Sequence, residues 1–103
     1  MNKKEEKTRS NFMETLKNKV AVVTGVGSGI GKAIAMAYAE AGALLGVGDI
    51  NENLLLKTTE DLKDKNENII SLTTDVSNEE QVKKLIDETV NAHGKLDIIV
   101  NNV

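Results

Sequence analysis

Short apolar segments alternate along the chain with longer amphipathic ones. The first apolar segment, Val20 to Thr24, is rich in β-branched residues and ends at Gly25, which predicts a strand buried on both faces. A few residues later, apolar side chains recur at helical spacing, and Gly42 marks the end of that helix. These apolar positions are Ile30, Ala33, Ile34, Ala37, Tyr38 and Ala41. The pattern predicts a strand that turns almost directly into a helix.

A second strand and helix follow in the same order. The run from Ala43 to Val47 predicts another buried strand, which ends at Gly48 and Asp49. Asn51 is a residue type that caps helices, and it precedes a polar-faced helix that extends to about Asp64. The predicted inward residues of this helix include Leu55 and Leu62.

A third strand is predicted at residues 68–73, and a third helix comes after it. Ser77 and Glu80 form an S-x-x-E capping box, in which the serine would cap the helix. Gly94 ends this helix, and the segment from Leu96 to Val100 predicts a fourth strand. The apolar positions at helical spacing are Val82, Leu85, Ile86 and Val90.

Strands thus alternate with helices three times before the last strand. Apolar strands separated by helices form parallel sheets through right-handed crossovers. No internal repeat, proline-rich linker or low-complexity segment interrupts the pattern. The sequence therefore predicts an α/β protein with an open, parallel sheet.

Composition narrows the class of protein further. The 103 residues include 13 basic and 16 acidic side chains, a formal net charge of −3, which disfavours a general nucleic-acid binder. Cysteine is absent, so disulfides, thiolate metal sites and cysteine nucleophiles are excluded. No apolar run approaches the ~20 residues that a bilayer span needs, and no secretory signal stands at the start. We expect a soluble, cytoplasmic protein that binds neither nucleic acid nor membranes.

The first residues differ from the rest of the chain. Residues 2–11 carry charged and polar side chains and nothing that could enter a core. We expect residues 1–16 to form a charged, mobile tail and residues 17–103 to form the domain. Met13 offers a second start for translation, which would leave most of this tail out, and the intact mass of the native protein distinguishes the two starts.

Four glycines occupy the junction between the first strand and the first helix. A helix that follows a strand directly points its free N–H groups and positive dipole end at the C-terminal edge of that strand. A pyrophosphate fits there only where no Cβ blocks the backbone, which requires glycine. Gly25 would make the sharp exit from the strand, while Gly29 and Gly31 would let the phosphates and the neighbouring strand approach the helix. The loop reads Thr24-Gly25-Val26-Gly27-Ser28-Gly29-Ile30-Gly31, or T-G-x-x-x-G-I-G, and differs from the common G-x-G-x-x-G fingerprint.

This loop resembles that of the short-chain dehydrogenase/reductase superfamily, and three further features follow in the family's order. Asp49 ends the second strand 24 residues after Gly25. Asp75-Val76 follows the third strand, and Asn101-Asn102 ends the fourth like the first half of the family's N-N-A-G motif. The likeness spans residues 17–103. It implies a Rossmann-type, doubly wound sheet with strand order 3-2-1-4, truncated here after the fourth strand.

The resemblance implies an NAD(P) site at this edge of the sheet. Asp49 would bind the adenosine ribose, and its charge would repel a 2′-phosphate, which favours NAD over NADP. Ser28 and Ile50 are uncharged, although an NADP enzyme of this type would more often have a basic residue there. The residues expected to bind the cofactor are Gly25, Gly27, Ser28, Gly29, Ile30, Gly31, Asp49, Ile50, Asp75, Val76 and Asn102.

Two of the motif residues have alternative roles. Asp75 would lie beside the adenine ring, or it would form the turn ahead of Ser77. Asn101 would brace the central sheet as much as serve the site, whereas Asn102 would be the neighbour of the cofactor.

Tyr38 and His93 are not expected to take part in chemistry. No lysine stands four places after Tyr38, so it is not the tyrosine of the family's Y-x-x-x-K motif, and it should pack against the sheet. His93 is predicted in the last turn of its helix, where a partial positive charge suits the dipole. One histidine without cysteine or aligned carboxylates makes no metal site.

The family's catalytic serine, tyrosine, lysine and asparagine lie downstream of the N-N-A-G motif, in which Val103 replaces the alanine here. We therefore expect the intact protein to be an oxidoreductase that transfers hydride between NAD(P) and an alcohol or ketone. This chain would be its cofactor-binding N-terminal fragment, inactive by itself. The resemblance also implies a homodimer or a tetramer. The alternatives are a non-catalytic nucleotide-binding fragment and a decayed gene product.

Overall fold

The computed structural model describes residues 15–102, in which four strands alternate with three helices. In chain order the elements are β1 (Val20–Thr24), α1 (Gly29–Glu40), β2 (Leu44–Asp49), α2 (Glu52–Lys63), β3 (Ile69–Thr73), α3 (Glu79–His93) and β4 (Ile98–Asn101). None of these helices is long and apolar enough to cross a membrane.

The four strands form one parallel sheet in the order β3-β2-β1-β4. This result confirms the predicted α/β class and strand order. β1 lies inside the sheet, where Ala21 pairs with Leu45 of β2 on one side and with Ile98 of β4 on the other. Because all four strands run in the same direction, their C-terminal ends meet at one edge of the sheet. The terminal residues there are Thr24, Asp49, Thr73 and Asn101.

The sheet is covered by helices on both faces. Each residue of β1 is at most 2 % exposed, which confirms the prediction of a strand buried on both faces. Alternate strand residues point to opposite faces. Ala21 and Val23 belong to a core cluster with residues of α1 and α2, including Leu55 and Leu62. On the other face α3 packs closely on β2. The absence of a side chain at Gly46 permits this contact, since a Cβ there would collide with the side chain of Thr89.

Three strand boundaries differ from the prediction. β2 ends at Asp49 as predicted but begins one residue late, at Leu44, because the Ala43 amide donates to the Tyr38 carbonyl at 3.1 Å. β3 begins one residue late, at Ile69, since the side chain of Asn66 holds the amide of Asn68. β4 begins at Ile98 because the carboxylate of Asp97 turns back to accept the Val20 N–H at 2.9 Å and contacts Lys95 at 3.1 Å. The hydrogen bond from Val20, and then that from Lys95, lower the pKa of Asp97.

The packed face of α1 also differs from the predicted set of apolar residues. The buried residues are Gly31, Ala35 and Ala39, whereas Ile30 is 71 % exposed and Ala33 and Ala37 are also exposed. Small side chains at every fourth position let the helix axis approach the sheet. Because the residues of this helix are apolar on nearly all of its sides, their spacing alone does not define which side is buried.

The cap of α3 is Asn78, not the predicted Ser77. Asn78 Oδ1 accepts hydrogen bonds from the amides of Glu80 and Gln81, whereas the Ser77 hydroxyl donates to Asp75 Oδ1 at 2.7 Å. Asparagine and serine are comparable N-cap residues. The local turn around Asp75 engages the serine and shifts the start of the helix by one residue. At the other end Gly94 adopts φ 88 and ends the helix as predicted.

Leu16 belongs to the domain, although the sequence pattern assigned it to the tail. Its amide donates to the Ala41 carbonyl at 2.9 Å, and its side chain packs against the core cluster. Residues 1–14 of the predicted tail, Met13 among them, lie outside the described part of the chain, as does Val103.

Two adjacent threonines of α2 give a test of the packing. Thr58 is fully buried, and its hydroxyl finds no hydrogen-bond partner among residues 15–102, whereas Thr59 donates to the Leu55 carbonyl at 2.7 Å and contacts Ser71. We expect Thr58→Val to raise the free energy of unfolding by about 0.5–1 kcal/mol and Thr59→Val to lower it by about 1 kcal/mol. Urea denaturation of the two variants measures both changes, and a destabilised Thr58→Val would contradict this account of the site.

Candidate functional site

The loop between β1 and α1 turns sharply and lies against β4. Gly25 adopts φ 68, a conformation that side chains disfavour, and makes the exit from the strand. A Cβ on Gly31 would collide with the Gly25 carbonyl, so the first turn of the helix sits directly on the loop. Asn102 Nδ2 donates to that same carbonyl at 3.3 Å. The loop is therefore fixed by backbone contacts that only glycine permits and by one side chain from the end of β4.

The N-terminus of α1 is left open, unlike those of α2 and α3. Ser28 is the N-cap residue of α1, yet its side chain makes no capping hydrogen bond, and the first turn contains no acidic residue. In contrast, Asn51 caps α2 and Asn78 caps α3, and each of those first turns carries at least one glutamate. Free N–H groups and a positive dipole end without a negative side chain suit an external anion.

Asp49 stands at the end of β2, opposite this helix terminus. Its Oδ2 accepts the Gly27 N–H at 2.9 Å, and its Oδ1 accepts the Asn51 N–H at 2.8 Å. Each carboxylate oxygen can accept more than one hydrogen bond, so acceptor capacity remains for a ligand. A polyol that entered beside the loop would meet a charged acceptor already held in place.

Asp75 follows β3 and shapes a turn. Its Oδ1 accepts from both the amide and the hydroxyl of Ser77, and its own amide donates to Gln81 Oε1. The hydroxyl bond from Ser77, followed by the amide bond, lowers the pKa of the Asp75 carboxyl. The turn-forming alternative for Asp75 is thus realised, and the residue also lines the cleft described next.

A cleft of about 230 Å³ joins the ends of the strands. Its walls come from all four strand ends, and they combine two carboxylates with apolar side chains. The lining residues are Gly25, Asp49, Ile50, Thr74, Asp75, Val76 and Asn102. Ile50 is 67 % exposed beside it, and Ile30 at the start of α1 is also exposed. An exposed isoleucine in the wall of a cleft, as Ile50 is here, offers apolar surface to a flat ligand.

The fold brings most of the predicted site residues to the C-terminal edge of the sheet, in the cleft or in the loop between β1 and α1. Their contacts there differ. Gly29 has open space around its missing side chain, whereas Gly27 lies against Asp49 and Leu54. Asn101 accepts a hydrogen bond from Thr24 Oγ1 at 2.9 Å and so braces β4 against β1. Ser28 lies at the open helix end, and Val76 lines the cleft.

Thr74 is the cleft residue that sequence reasoning missed. It is 1 % exposed, and its amide donates to the Asp49 carbonyl at 3.0 Å. Its hydroxyl donates to the Leu72 carbonyl. The signal was its position directly after β3, at the same sheet edge as Asp49, but a threonine there carries no charge that would single it out.

Tyr38 and His93 lie away from the cleft. Tyr38 packs against the core cluster, as predicted. His93 lies in the last turn of α3, as expected, and its Nε2 is 3.1 Å from the Leu45 carbonyl. Among residues 15–102 no group of three or more histidine, aspartate or glutamate side chains could hold a metal ion.

The chain is similar to known oxidoreductases over most of its length. It is 40 % identical over 87 residues to an uncharacterized oxidoreductase of Thermotoga maritima and 39 % identical over 87 residues to a 3beta-hydroxysteroid dehydrogenase 2 of Eggerthella lenta. Each match covers 84 % of this chain and 34 % of the relative, so the chain spans about a third of the length of these proteins.

Solved structures give the same result. A short chain dehydrogenase/reductase from Burkholderia phymatum, determined in complex with NAD, aligns with a TM-score of 0.78 at 39 % identity, over 82 % of this chain and 30 % of that one. A model of the short chain dehydrogenase family matches residues 19–103, which include every element of the sheet. The chain therefore belongs to the short-chain dehydrogenase/reductase family.

Proposed function

We propose that this chain forms the adenosine-diphosphate half of an NAD site in an oxidoreductase that acts on an alcohol or ketone. The observation that carries the proposal is the open N-terminus of α1, the one described helix that lacks a side-chain cap. The N–H groups of its first turn would bind the pyrophosphate, because the helix dipole and the absence of acidic side chains favour an anion. The glycines keep the backbone accessible there.

Asp49 would bind the ribose. Its two oxygens are held by backbone amides at 2.9 and 2.8 Å and keep further acceptor capacity for the two ribose hydroxyls. The adenine would lie in the cleft between Ile50 and Val76, near Asp75. When bound, NAD supplies a hydride acceptor, and this chain contributes by binding and orienting the adenosine end.

The preference for NAD over NADP follows from charge. A 2′-phosphate would stand next to the Asp49 carboxylate, and the neighbouring Ser28 and Ile50 offer no compensating positive charge. We expect NAD to bind at least about tenfold more tightly than NADP, which corresponds to roughly 1.4 kcal/mol.

Calorimetric titration of both cofactors into the full chain tests this expectation. Asp49→Ala should lose NAD affinity and most of the discrimination, because it removes both the ribose acceptor and the repulsive charge. Equal affinities for the two cofactors in the wild type, or tighter binding of NADP, would overturn the preference. Absence of binding for both would overturn the site itself.

The relatives are about two and a half times as long as this chain. We propose that substrate recognition and proton transfer use residues outside these 103, and that the intact protein acts on a small-molecule alcohol or ketone. The coding sequence after codon 103 tests this directly. An open frame that encodes a serine and a Y-x-x-x-K motif supports the oxidoreductase, whereas an immediate stop codon favours a nucleotide-binding fragment.

A further inference from the structure

The Asp49 carboxylate connects two separate backbone segments. Oδ2 accepts from Gly27 in the glycine loop, and Oδ1 accepts from Asn51, which caps α2. The Gly27 amide belongs to a buried residue, and a buried N–H without a partner is costly. The carboxylate thus satisfies a loop group that would otherwise need an acceptor.

Gly27 is fitted to this contact. A Cβ at position 27 would lie 2.9 Å from Asp49 Oδ2 and 2.9 Å from Leu54 Cβ, closer than side-chain atoms pack. Position 27 is one of the unspecified positions of T-G-x-x-x-G-I-G, so the motif itself does not require glycine there. The requirement comes from Asp49 and from α2, both of which lie against the loop.

We propose that Asp49 is a positioning residue for the glycine loop in addition to its role as a ribose ligand. The hydrogen bond to Gly27 holds the loop in the path that directs the α1 amides at the phosphates. Asp49 therefore contributes to phosphate binding, although its own charge repels phosphate. This inference rests on the proposed NAD site. It extends the role of Asp49 from the ribose to the pyrophosphate.

The two tethers also explain how the site would reject a 2′-phosphate. A carboxylate held by one backbone amide on each oxygen cannot rotate away without breaking both hydrogen bonds. The negative charge then remains at the rim of the cleft. Cofactor discrimination would depend on the amides of Gly27 and Asn51 as well as on the aspartate itself.

Amide hydrogen exchange in the full chain, followed by NMR, tests the tether without any ligand. Asp49→Ala should speed exchange of the Gly27 amide by roughly tenfold or more, because one charge-assisted hydrogen bond is lost. Asp49→Asn keeps one acceptor oxygen. The increase in the exchange rates of the Gly27 and Asn51 amides, taken together, should therefore be smaller than in Asp49→Ala. Asp64→Ala removes the same charge at the far end of α2 and should leave both amides unchanged. Unchanged Gly27 exchange in Asp49→Ala would overturn the proposal.

Titration with inorganic pyrophosphate tests the consequence for binding. If Asp49 served the ribose alone, Asp49→Ala would bind pyrophosphate as well as the wild type or better, because a negative charge has been removed. A positioning role predicts at least about threefold weaker binding. If the wild type binds neither pyrophosphate nor NAD, the proposed function fails, and the exchange data still decide whether Asp49 holds the loop.

Discussion

Replacing Gly31 with alanine is expected to destabilise the domain by about 2–3 kcal/mol and to weaken NAD binding by roughly a hundredfold. The added Cβ would collide with the Gly25 carbonyl and lie 2.8 Å from Asn102 Nδ2. Backbone cannot yield as a flexible side chain does, so α1 has to move away from the loop. That movement displaces the helix amides from the position in which they would meet the phosphates. Thermal unfolding and calorimetric titration measure the two effects.

Gly29→Ala is the matched comparison. No atom lies within 4 Å of a Cβ built on Gly29, and only its φ of 61 disfavours a side chain. We expect a loss of about 1 kcal/mol in stability from the backbone conformation, together with weaker NAD binding because the methyl group would face the space left for the ligand. If Gly31→Ala binds NAD as the wild type does, close contact between α1 and the loop is not what orients the amides.

Gly46→Ala is expected to lower the free energy of unfolding by about 2–3 kcal/mol, although Gly46 does not line the cleft. The new Cβ would collide with Thr89 Oγ1 and lie 2.9 Å from Thr89 Cβ and Cγ2. β2 is paired on both sides, with β1 and with β3, so the strand cannot shift out of the sheet. Helix α3 has to retreat instead, which opens space over Leu85. Urea denaturation measures the loss.

A double-mutant cycle with Thr89→Ala identifies the cause. Thr89→Ala alone should cost about 1–2 kcal/mol for its lost methyl group and its lost hydrogen bond to the Leu85 carbonyl. In the Gly46→Ala background it should restore part of the stability, because it removes the colliding hydroxyl. We expect a favourable coupling of about 1 kcal/mol or more between the two changes. Strictly additive effects would mean that the Gly46→Ala loss arises from something other than contact with α3.

The spacing of apolar residues was sufficient to predict the sheet. β-branched runs such as Val20–Thr24 and the amphipathic segments between them predict strands and helices, because burial requires those periods. Chain connectivity then restricts parallel strands to right-handed crossovers. The order of the strands came from family resemblance, and the structure confirms it. For the candidate site, the glycines of the T-G-x-x-x-G-I-G loop predict a place for phosphates because only glycine leaves the backbone accessible. The role proposed for Asp49 came from the family resemblance.

Two of the predictions that were wrong concern a choice between adjacent residues. Ser77 and Asn78 are both good caps, and the contact of Ser77 with Asp75 decides between them. In α1, Ile30 and Gly31 differ by one helical step, and the close approach of the helix to the sheet buries the glycine. Local patterns carry no information about either choice, because the cap of α3 and the buried face of α1 both depend on which atoms the fold brings near.

Local sequence was enough to specify the alternation of elements, the glycine-rich junction after β1 and the acid at the end of β2. Each of these follows from the preferences of consecutive residues. Three-dimensional packing was needed to place the uncapped N-terminus of α1 beside Asp49 and to bring the aspartate to the Gly27 amide across 22 residues of chain. Such contacts depend on the distance between strand ends, which is set by pairing in the sheet and by close helix packing.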